Sequence, residues 1–355
     1  MKPTPPQDPH RPHLIPHGEH HVPPPPPPPV GVHGRLARFL GKNWARIGYA
    51  RRVEPTWLEV NRLELPIRDL PDPFRGTRIA HLSDFHFGEH LPAGYLEQAV
   101  ERAAAEKPDL IALTGDFVDR GPRHVREAAR VFRDLRAPLG VYAVLGNHDF
   151  SVHNVRGKRR HPDLHRQVAD ALGEQGVRVL RNEAIRHERE SHGLIVAGID
   201  DLWSRECDPA AALAASCPNT PRIVLAHNPQ SVDHFAEHRF DLVLSGHTHG
   251  GQIDWPGLGR VLLGKKAKRW AAGLYPHGTG HVYVNKGVGF GWRFRFGVRP
   301  EVAILTLLPT RLVSEGPSEL PTRRVSEGPS ELPTRRVSEG PSELPTRRVS
   351  EGPSK

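Results

Sequence analysis

Long apolar runs and cysteines are scarce in this chain of 355 residues. No stretch of 18 consecutive apolar residues occurs, so the sequence predicts no membrane-spanning helix. The N-terminal residues lack the compact hydrophobic region of a signal peptide, which makes the cytoplasm the expected compartment. The two cysteines, Cys207 and Cys217, follow no spacing typical of a metal site, and we expect both to be reduced.

Both ends of the chain hold too few apolar side chains to build a core. Residues 1–34 contain thirteen prolines and six histidines, which predicts a disordered arm. Residues 312–355 repeat a twelve-residue unit that begins at Val313 and matches no solenoid repeat, which predicts a disordered tail. The expected folded domain is therefore residues 56–311, which are long enough for one substantial core.

Positive charge is concentrated between these ends. Each end carries equal numbers of basic and acidic side chains, so the formal net charge of +9 belongs to residues 35–311. Six basic residues lie between positions 35 and 52 with no acid among them, and they are interleaved at helical spacing with Leu36, Leu40, Trp44 and Ile47. Residues 35–55 are therefore predicted to contain a basic amphipathic helix. Its apolar face would either lie on an anionic membrane surface or cover the protein's own core.

Five short motifs place metal-binding side chains directly after segments that are typical of buried strands. In order, they are Asp84-Phe-His86, Gly115-Asp116, Gly146-Asn147-His148-Asp149, His227 and Gly246-His247-Thr-His249. Because open α/β sheets carry their sites at the carboxyl ends of strands, we expect these side chains to share one edge. Each residue alone has an ordinary structural explanation, but the five motifs together favour a metal site.

The donor types indicate a pair of divalent ions. Two such ions about 3.5–4 Å apart can share a bridging water, lower its pKa toward about 7 and hold a phosphoryl group for in-line attack. We assign the bridging carboxylate to Asp116. The remaining ligands would be Asp84, His86 and His249 for one ion, and Asn147, His227 and His247 for the other. This mixture of imidazole, carboxylate and amide suits Mn, Fe or Zn better than Mg or Ca.

His148 is left without a metal in this scheme. It would face the substrate and protonate the leaving oxygen, and Asp149 would fix its tautomer. Three further basic residues follow this motif, Arg156, Arg159 and Arg160, and they would hold a second phosphate or a nucleotide unless the loop is simply solvated. Arg295 lies in an alternation of aromatic and arginine residues between Trp292 and Phe296, which on a strand would form a phosphate-binding surface or part of the core.

The motifs resemble those of the calcineurin-like metallophosphoesterase superfamily over residues 78–307. The sequences around Asp84, Asp116 and His247 are similar to those of a bacterial single-domain branch, which includes enzymes that hydrolyse the pyrophosphate of UDP-2,3-diacylglucosamine. The segments 54–60 and 299–301 are also similar to that branch. The resemblance implies a dinuclear-metal hydrolase with a four-layer αββα sandwich.

Alternating strands and helices also predict an α/β protein. Three strands of one sheet are predicted at Arg78–Ser83, Asp109–Thr114 and Val141–Leu145, separated by helices at Ala93–Lys107 and Arg123–Leu135. Five strands of a second sheet are predicted at Leu194–Ile199, Arg222–Ala226, Asp241–Ser245, His281–Asn285 and Glu301–Leu307.

Three functions are compatible with these observations. The first is hydrolysis of a phosphodiester or pyrophosphate bond in a small-molecule or lipid-linked substrate, with the basic helix docking the protein on the inner membrane surface. The second is a nuclease or cyclic-nucleotide phosphodiesterase, which a pI near 9.9 favours although no nucleic-acid-binding module is recognisable. The third is a non-catalytic scaffold. A scaffold would not need His148 or the seven presumed ligands, and the presence of all of them argues against this function. We favour the first, and we expect neither a specific nucleic acid nor an obligate protein partner.

Overall fold

The computed structural model describes residues 44–154, 157–214, 219–235, 238–260 and 262–310. The predictions for the two chain ends, for Leu36, Leu40 and Arg156, and for Cys217 lie outside the described residues. Cys207 is a partly buried free thiol. Among the helices within the described ranges, none is both long and apolar enough to cross a bilayer.

The first sheet contains six strands in the order β1-β12-β2-β3-β4-β5. Their bounds are β1 Glu59–Ile67, β2 Arg78–Leu82, β3 Leu110–Thr114, β4 Val141–Val144, β5 Arg178–Val179 and β12 Glu301–Pro309. Strands β2 to β5 are parallel neighbours, and β12 lies between β1 and β2. The prediction that put Glu301–Leu307 in the second sheet is therefore wrong. Its nearly continuous run of apolar residues indicates that both faces are buried, but it does not specify the neighbouring strands.

The second sheet has the order β10-β11-β9-β8-β7-β6. Its strands are β6 Glu183–Arg189, β7 His192–Ile199, β8 Arg222–Ala226, β9 Leu242–Ser245, β10 Gly273–His277 and β11 Gly280–Val284. The four central strands β7, β8, β9 and β11 are parallel, whereas the outer strands β6 and β10 pair antiparallel. The carboxyl ends of the central strands consequently meet at one edge.

Six α-helices occur in the described residues. They are α1 at residues 44–52, α2 Tyr95–Ala105, α3 Val125–Arg130, α4 Leu164–Glu174, α5 Pro209–Leu213 and α6 Lys265–Lys268. Short 3₁₀ helices span Glu54–Thr56, Asp72–Phe74, Pro122–His124, Leu202–Ser204, Pro229–His234 and His249–Gly251. The two predicted helices correspond to α2 and α3, each shorter than expected.

Alternation along the strands builds three apolar layers. On β3, Ile111 and Leu113 pack with α2, α3 and α4, whereas Leu110 and Ala112 pack between the two sheets. On β8, residues 223 and 225 face the space between the sheets, and Val224 packs with α5 and Trp270 on the outer side. The predicted four-layer αββα sandwich is confirmed.

The described part of the basic amphipathic segment forms α1, with its apolar residues directed away from the core. Trp44 is 72% exposed and Ile47 is 45% exposed. Ala50 in the last turn is buried, and its carbonyl accepts a hydrogen bond from the backbone N–H of Arg295 at 2.9 Å. The helix is therefore attached through its C-terminal turn, and of the two predicted alternatives these residues favour a face that is free to contact another surface.

Candidate metal centre

The five motifs follow β2, β3, β4, β8 and β9, and the two sheets bring these strand ends together. Three overlapping groups of side chains have potential ligand atoms that all lie within 4.8 Å of one another. These groups are Asp84 with His86 and His249, His86 with Asp116 and His148, and Asp84 with Asp116 and His227. Five of the predicted ligands, together with His148, therefore converge on one site, in which Asp84, His86 and Asp116 each belong to two groups.

The first set of donors surrounds His86. Its Nε2 atom lies 2.9 Å from His249 Nε2 and 3.5 Å from Asp116 Oδ2. His249 Nε2 is also 3.3 Å from Asp84 Oδ1. These atoms belong to the predicted ligands of one ion together with the predicted bridge, and they are buried or nearly so.

The second set surrounds His247. Its Nδ1 atom lies 2.9 Å from Asn147 Oδ1 and 3.3 Å from His227 Nε2. His227 Nε2 is 3.3 Å from Asp116 Oδ2, so the bridging carboxylate reaches both sets through the same oxygen. The backbone N–H of His247 donates to both oxygens of Asp84 at 3.0 Å, which connects the two sets a second time.

The hydrogen bonds behind these atoms fit divalent ions. His227 Nδ1 donates to the carbonyl of Thr114 at 2.7 Å, which fixes a tautomer whose Nε2 lone pair faces the site. The Asn147 amide nitrogen donates to the carbonyl of Val152 at 2.7 Å, which leaves its oxygen free to act as a ligand. Two ring nitrogens 2.9 Å apart, as in His86 and His249, can share a single proton or both bind one cation. The donor set therefore suits the two divalent ions that the sequence predicts.

Five of the presumed ligands adopt left-handed backbone conformations that are uncommon for residues other than glycine. Their φ angles are 54° at Asp84, 45° at His86, 55° at Asp116, 71° at His247 and 51° at His249. Such conformations cost free energy and cluster at functional sites. A Cβ at Gly246 would lie 1.9 Å from Ser83 Oγ, so the close approach of the two sheets requires glycine there.

Charge is strongly coupled within the centre. Burial alone would raise the pKa of Asp116, but the neighbouring His227 and His148 outweigh it and hold that pKa well below its usual range. Burial would lower the pKa of His227, but Asp116 raises it well above its usual range. In the absence of a metal, the ionised Asp116 and the protonated His227 therefore stabilise each other, and the same two side chains would bind a cation.

His148 lies beside this pair. Its backbone N–H donates to Asp116 Oδ1 at 2.9 Å, and its Nδ1 donates to the carbonyl of Asp119 at 2.7 Å. The ring side chain is 22% exposed, and Nε2 is the nitrogen available to a substrate. Burial lowers the pKa of His148 to about 4, although Asp116 acts in the opposite direction.

Asp149 does not have the predicted contact with the His148 ring. Its carboxylate accepts hydrogen bonds from the backbone N–H groups of Phe117, Val118 and Gly146 at 2.9, 3.3 and 2.8 Å. Burial raises its pKa to about 7. The residue therefore braces two ligand loops, and the carbonyl of Asp119 orients His148 instead.

The predicted substrate contacts are placed very differently from one another. Arg160 is exposed. Arg159 donates to Glu206 Oε1 at 2.5 Å and to the carbonyl of Ser204, so its guanidinium group is held by the protein. Arg295 is fully buried and donates to the carbonyls of residues 286, 287, 289 and 298.

Arg295 Nη2 lies 3.4 Å from His249 Nδ1, which places this arginine behind a presumed ligand. The predicted strand through Arg295 is absent, since residues 291–295 form bends and irregular backbone. These observations favour a bracing role for Arg295 over contact with the substrate.

Four further side chains border the centre without having been predicted. Asp119 Oδ1 lies 3.7 Å from His86 Nδ1, and the His153 ring packs against His148 with 4.5 Å between centroids. Trp203 packs edge-on against His247 at 4.6 Å. Asp201 is fully buried just after β7, and burial raises its pKa to about 7. Its position after a predicted strand was the available signal, whereas the other three lie in connections between strands and helices, whose path the sequence does not specify.

Comparison with known proteins identifies the family. A family model described as calcineurin-like phosphoesterase matches residues 77–251. The chain is 34% identical to phosphodiesterase YaeI of Escherichia coli (strain K12), over 74% of this chain and 92% of that protein. It is 30% identical to UDP-2,3-diacylglucosamine pyrophosphatase LpxG of Chlamydia trachomatis serovar D, over 79% of this chain and 98% of that protein. The chain therefore belongs to the calcineurin-like phosphoesterase family and is a metal-dependent phosphoester hydrolase.

Proposed function

We propose that the chain hydrolyses a phosphodiester or pyrophosphate bond in a lipid-linked nucleotide such as UDP-2,3-diacylglucosamine. The observation that carries this proposal is the convergence of the seven presumed ligand side chains on one centre, with His148 hydrogen-bonded to the presumed bridge through its backbone. One relative is named a phosphodiesterase and the other a UDP-2,3-diacylglucosamine pyrophosphatase. This similarity supports a substrate in which the cleaved phosphoryl group is joined to two other groups through ester or anhydride bonds.

The metal ligands would be the seven residues predicted from the sequence, and manganese is the first ion to test among Mn, Fe and Zn. When bound, a pair of such ions supplies Lewis-acid stabilisation of the phosphoryl group and activates water at neutral pH. Asp116 and Asp84 link the two donor sets, so they fix the relative positions of the two sites. Asn147, held through its amide nitrogen, presents its oxygen without competing for a proton.

His148 would donate a proton to the leaving oxygen from Nε2. Its Nδ1–H is already committed to the carbonyl of Asp119, so only Nε2 can exchange a proton with the substrate. Burial favours the neutral imidazole in the free protein, where the pKa is about 4. An anionic phosphoryl group next to the ring favours the imidazolium instead, so substrate binding would itself raise the pKa of this acid.

A second phosphate would be held by the rim next to His148. The exposed His153 packs on the His148 ring, and the charges of Arg120 and Arg160 both act on His153 to lower its pKa, after burial as the largest cause. Arg120 is 82% exposed, with its Nε 3.5 Å from Asp119 Oδ2. His153 therefore contacts the presumed acid, and with the positive charges of Arg120 and Arg160 acting on it, these side chains would supply the charge and hydrogen-bond donors that a second phosphate needs.

Hydrolysis of bis-p-nitrophenyl phosphate and p-nitrophenyl phosphate with manganese tests the reaction type, and product analysis with UDP-2,3-diacylglucosamine tests the substrate. We expect diester turnover that is lost in Asp116→Asn, and cleavage of the pyrophosphate. A preference for the monoester would contradict the proposal. Faster cleavage of nucleic acids or cyclic nucleotides than of the pyrophosphate would instead favour a nuclease or cyclic-nucleotide phosphodiesterase.

The rim can be tested separately. Arg160→Ala and His153→Ala should raise KM for the pyrophosphate about tenfold and leave KM for bis-p-nitrophenyl phosphate nearly unchanged, because the small diester has no second phosphate to bind. Arg126→Ala, an exposed arginine on α3, is the control and should change neither value. Equal effects on both substrates would show that the rim does not recognise the second phosphate.

A further inference from the structure

Large apolar side chains that are exposed to solvent occur on three segments of the described chain. The exposed fractions are Trp44 72%, Ile47 45%, Val53 48%, Leu258 69%, Leu262 53% and Trp292 51%. The segments are residues 44–53, which include α1, residues 252–263 and residues 290–298. Singly exposed apolar residues need no explanation, but six that are confined to three segments indicate a surface that contacts something apolar.

The three segments contact one another. The Arg46 guanidinium lies over the Trp255 ring, 5.8 Å from its centroid, which joins α1 to the second segment. The backbone N–H of Asp254 donates to the carbonyl of Phe296 at 2.8 Å, which joins the second segment to the third. The hydrogen bond from Arg295 to Ala50 joins the third segment to α1. We call this connected set of segments the docking surface.

The charge of the docking surface identifies what it fits. Its exposed basic side chains include Arg46, Arg51, Arg52 and Arg293. Its single acidic residue is Asp254, which lies 3.6 Å from Arg260. Exposed tryptophan and leucine side chains beside an excess of basic side chains are the combination that binds the interface of an anionic bilayer. There the rings enter the headgroup region and the arginines meet lipid phosphates.

The docking surface adjoins the metal centre. Gln252, three residues beyond His249, donates from its side-chain amide to the carbonyls of Trp292 and Phe294 at 3.3 and 2.8 Å. Arg295 connects the same segment to His249. A protein attached through this surface would hold its catalytic centre next to the lipid layer from which a lipid-linked substrate is drawn.

We propose that the docking surface binds anionic lipid bilayers through three segments, so that α1, the loop after the Gly246–His249 motif and the loop before β12 act together. The bilayer binding stands on the exposed side chains, and its use in substrate capture rests on the proposed function. Membrane contact is thereby assigned to Leu258, Leu262 and Trp292 as well as to the amphipathic helix.

Co-sedimentation of the full chain with vesicles tests this proposal. We expect binding to phosphatidylcholine vesicles that contain 30% phosphatidylglycerol, on the order of ten times weaker binding to pure phosphatidylcholine, and weakening by salt. The double variant Trp44→Ser/Leu258→Ser removes the two most exposed apolar side chains from two segments and should reduce binding roughly tenfold. Arg51→Glu/Arg52→Glu should reduce it at least as much.

The matched control is Arg126→Glu/Arg133→Glu, which makes the same change in net charge on exposed positions outside the docking surface. Equal weakening by this control would overturn the proposal, because binding would then depend on overall charge alone. Failure of the wild-type chain to bind anionic vesicles, or unchanged binding by Trp44→Ser/Leu258→Ser, would also overturn it.

Turnover of bis-p-nitrophenyl phosphate without vesicles separates this proposal from the proposed function. The docking variants should retain wild-type turnover of this soluble diester, since none of their substitutions touches the metal centre. Vesicle binding by a chain without diester turnover would contradict the proposed function and leave the docking surface supported. Turnover without vesicle binding would overturn the docking surface alone.

Discussion

At the scale of single residues, Asp116 and His148 are neighbours with separable roles. Asp116 contacts both donor sets through one carboxylate oxygen, whereas His148 donates its backbone N–H to Asp116 and packs edge-on against the His86 ring. Asp116→Asn should therefore lower the metal content and abolish turnover. His148→Ala should keep two metals per chain and lower kcat about 10²- to 10⁴-fold, the usual range for a general acid. Elemental analysis measures the metal content of both variants, and steady-state kinetics measures their kcat. If both variants lost metal to the same extent, Asp116 and His148 would not have separate roles.

Arg295 provides a second test at this scale. Its buried guanidinium donates to four backbone carbonyls, and these would lose their donors in Arg295→Met. We expect the free energy of unfolding to fall by roughly 3 kcal/mol or more, because buried acceptors are costly to leave unpaired. Arg293 is two residues away and its side chain is exposed, so Arg293→Met is the matched control and should change stability little. Urea denaturation measures both, and equal effects would refute the bracing role.

His81 predicts a pH dependence of stability. Its ring is buried on β2 with Nε2 2.8 Å from Thr114 Oγ1, and burial lowers its pKa from 6.5 to about 3. Between these values the unfolded chain binds the proton and the folded chain does not, so this residue costs stability as the pH falls below 6.5. At pH 4.5 the cost is roughly 2–3 kcal/mol.

The variant His81→Gln isolates this contribution from that of other titrating groups. We expect the stability difference between wild type and variant to shift in favour of the variant as the pH is lowered from 7.5 to 4.5. Denaturation curves at both pH values measure the shift. A difference that is independent of pH would show that His81 titrates normally in the folded protein.

At the scale of elements, Gly246 controls the contact between the two sheets. A Cβ there would meet Ser83 Oγ at 1.9 Å and Asp84 Oδ2 at 2.2 Å, and both atoms belong to the loop after β2. Gly246→Ala should therefore displace Asp84, reduce metal affinity and lower the melting temperature. Gly264→Ala is the control, because no heavy atom lies within 4 Å of a Cβ at that position. Metal titration and thermal melting of both variants would decide, and an unaffected Gly246→Ala would contradict this packing.

The sequence predicted those elements that carry a strong apolar signal. Strands β2, β3, β4, β8 and β9 are short runs of buried residues that end at a motif, so both their position and their site residues were accessible. Strand β6 was missed because its residues alternate with charge at an exposed edge, and β5 because it has only two residues. The pairing of β12 between β1 and β2 depends on partners 242 residues away for Glu59 and Glu301 and 222 residues away for His81 and Ala303, which periodicity does not encode.

The site shows the same division. Ligand types could be predicted because each motif names its own chemistry, but the supporting contacts depend on tertiary structure. The carboxylate of Asp149 was assigned to His148 by proximity in sequence, whereas three backbone N–H groups occupy it in the folded protein. Arg295 was given as a candidate substrate contact because alternation on a strand would place the arginines together on one face, yet the backbone there is irregular and Arg295 is buried.

At the scale of the whole molecule, the catalytic sandwich is complete within the described residues. Strand β12 ends at Pro309, and its pairing with β1 runs to that last residue. Residues 312–355 carry seven basic and seven acidic side chains, so their removal leaves the net charge unchanged. Deleting residues 313–355 should therefore leave kcat, metal content and melting temperature within error of the full chain.

Two measurements make this deletion informative. Turnover of bis-p-nitrophenyl phosphate reports on the metal centre, and binding to anionic vesicles reports on the docking surface. Both should be retained, because every residue that forms either feature precedes position 311. A truncated chain that melts at the same temperature but loses turnover would assign the repeats a direct role at the centre. Loss of vesicle binding alone would assign them a role in membrane attachment that their balanced charge does not predict.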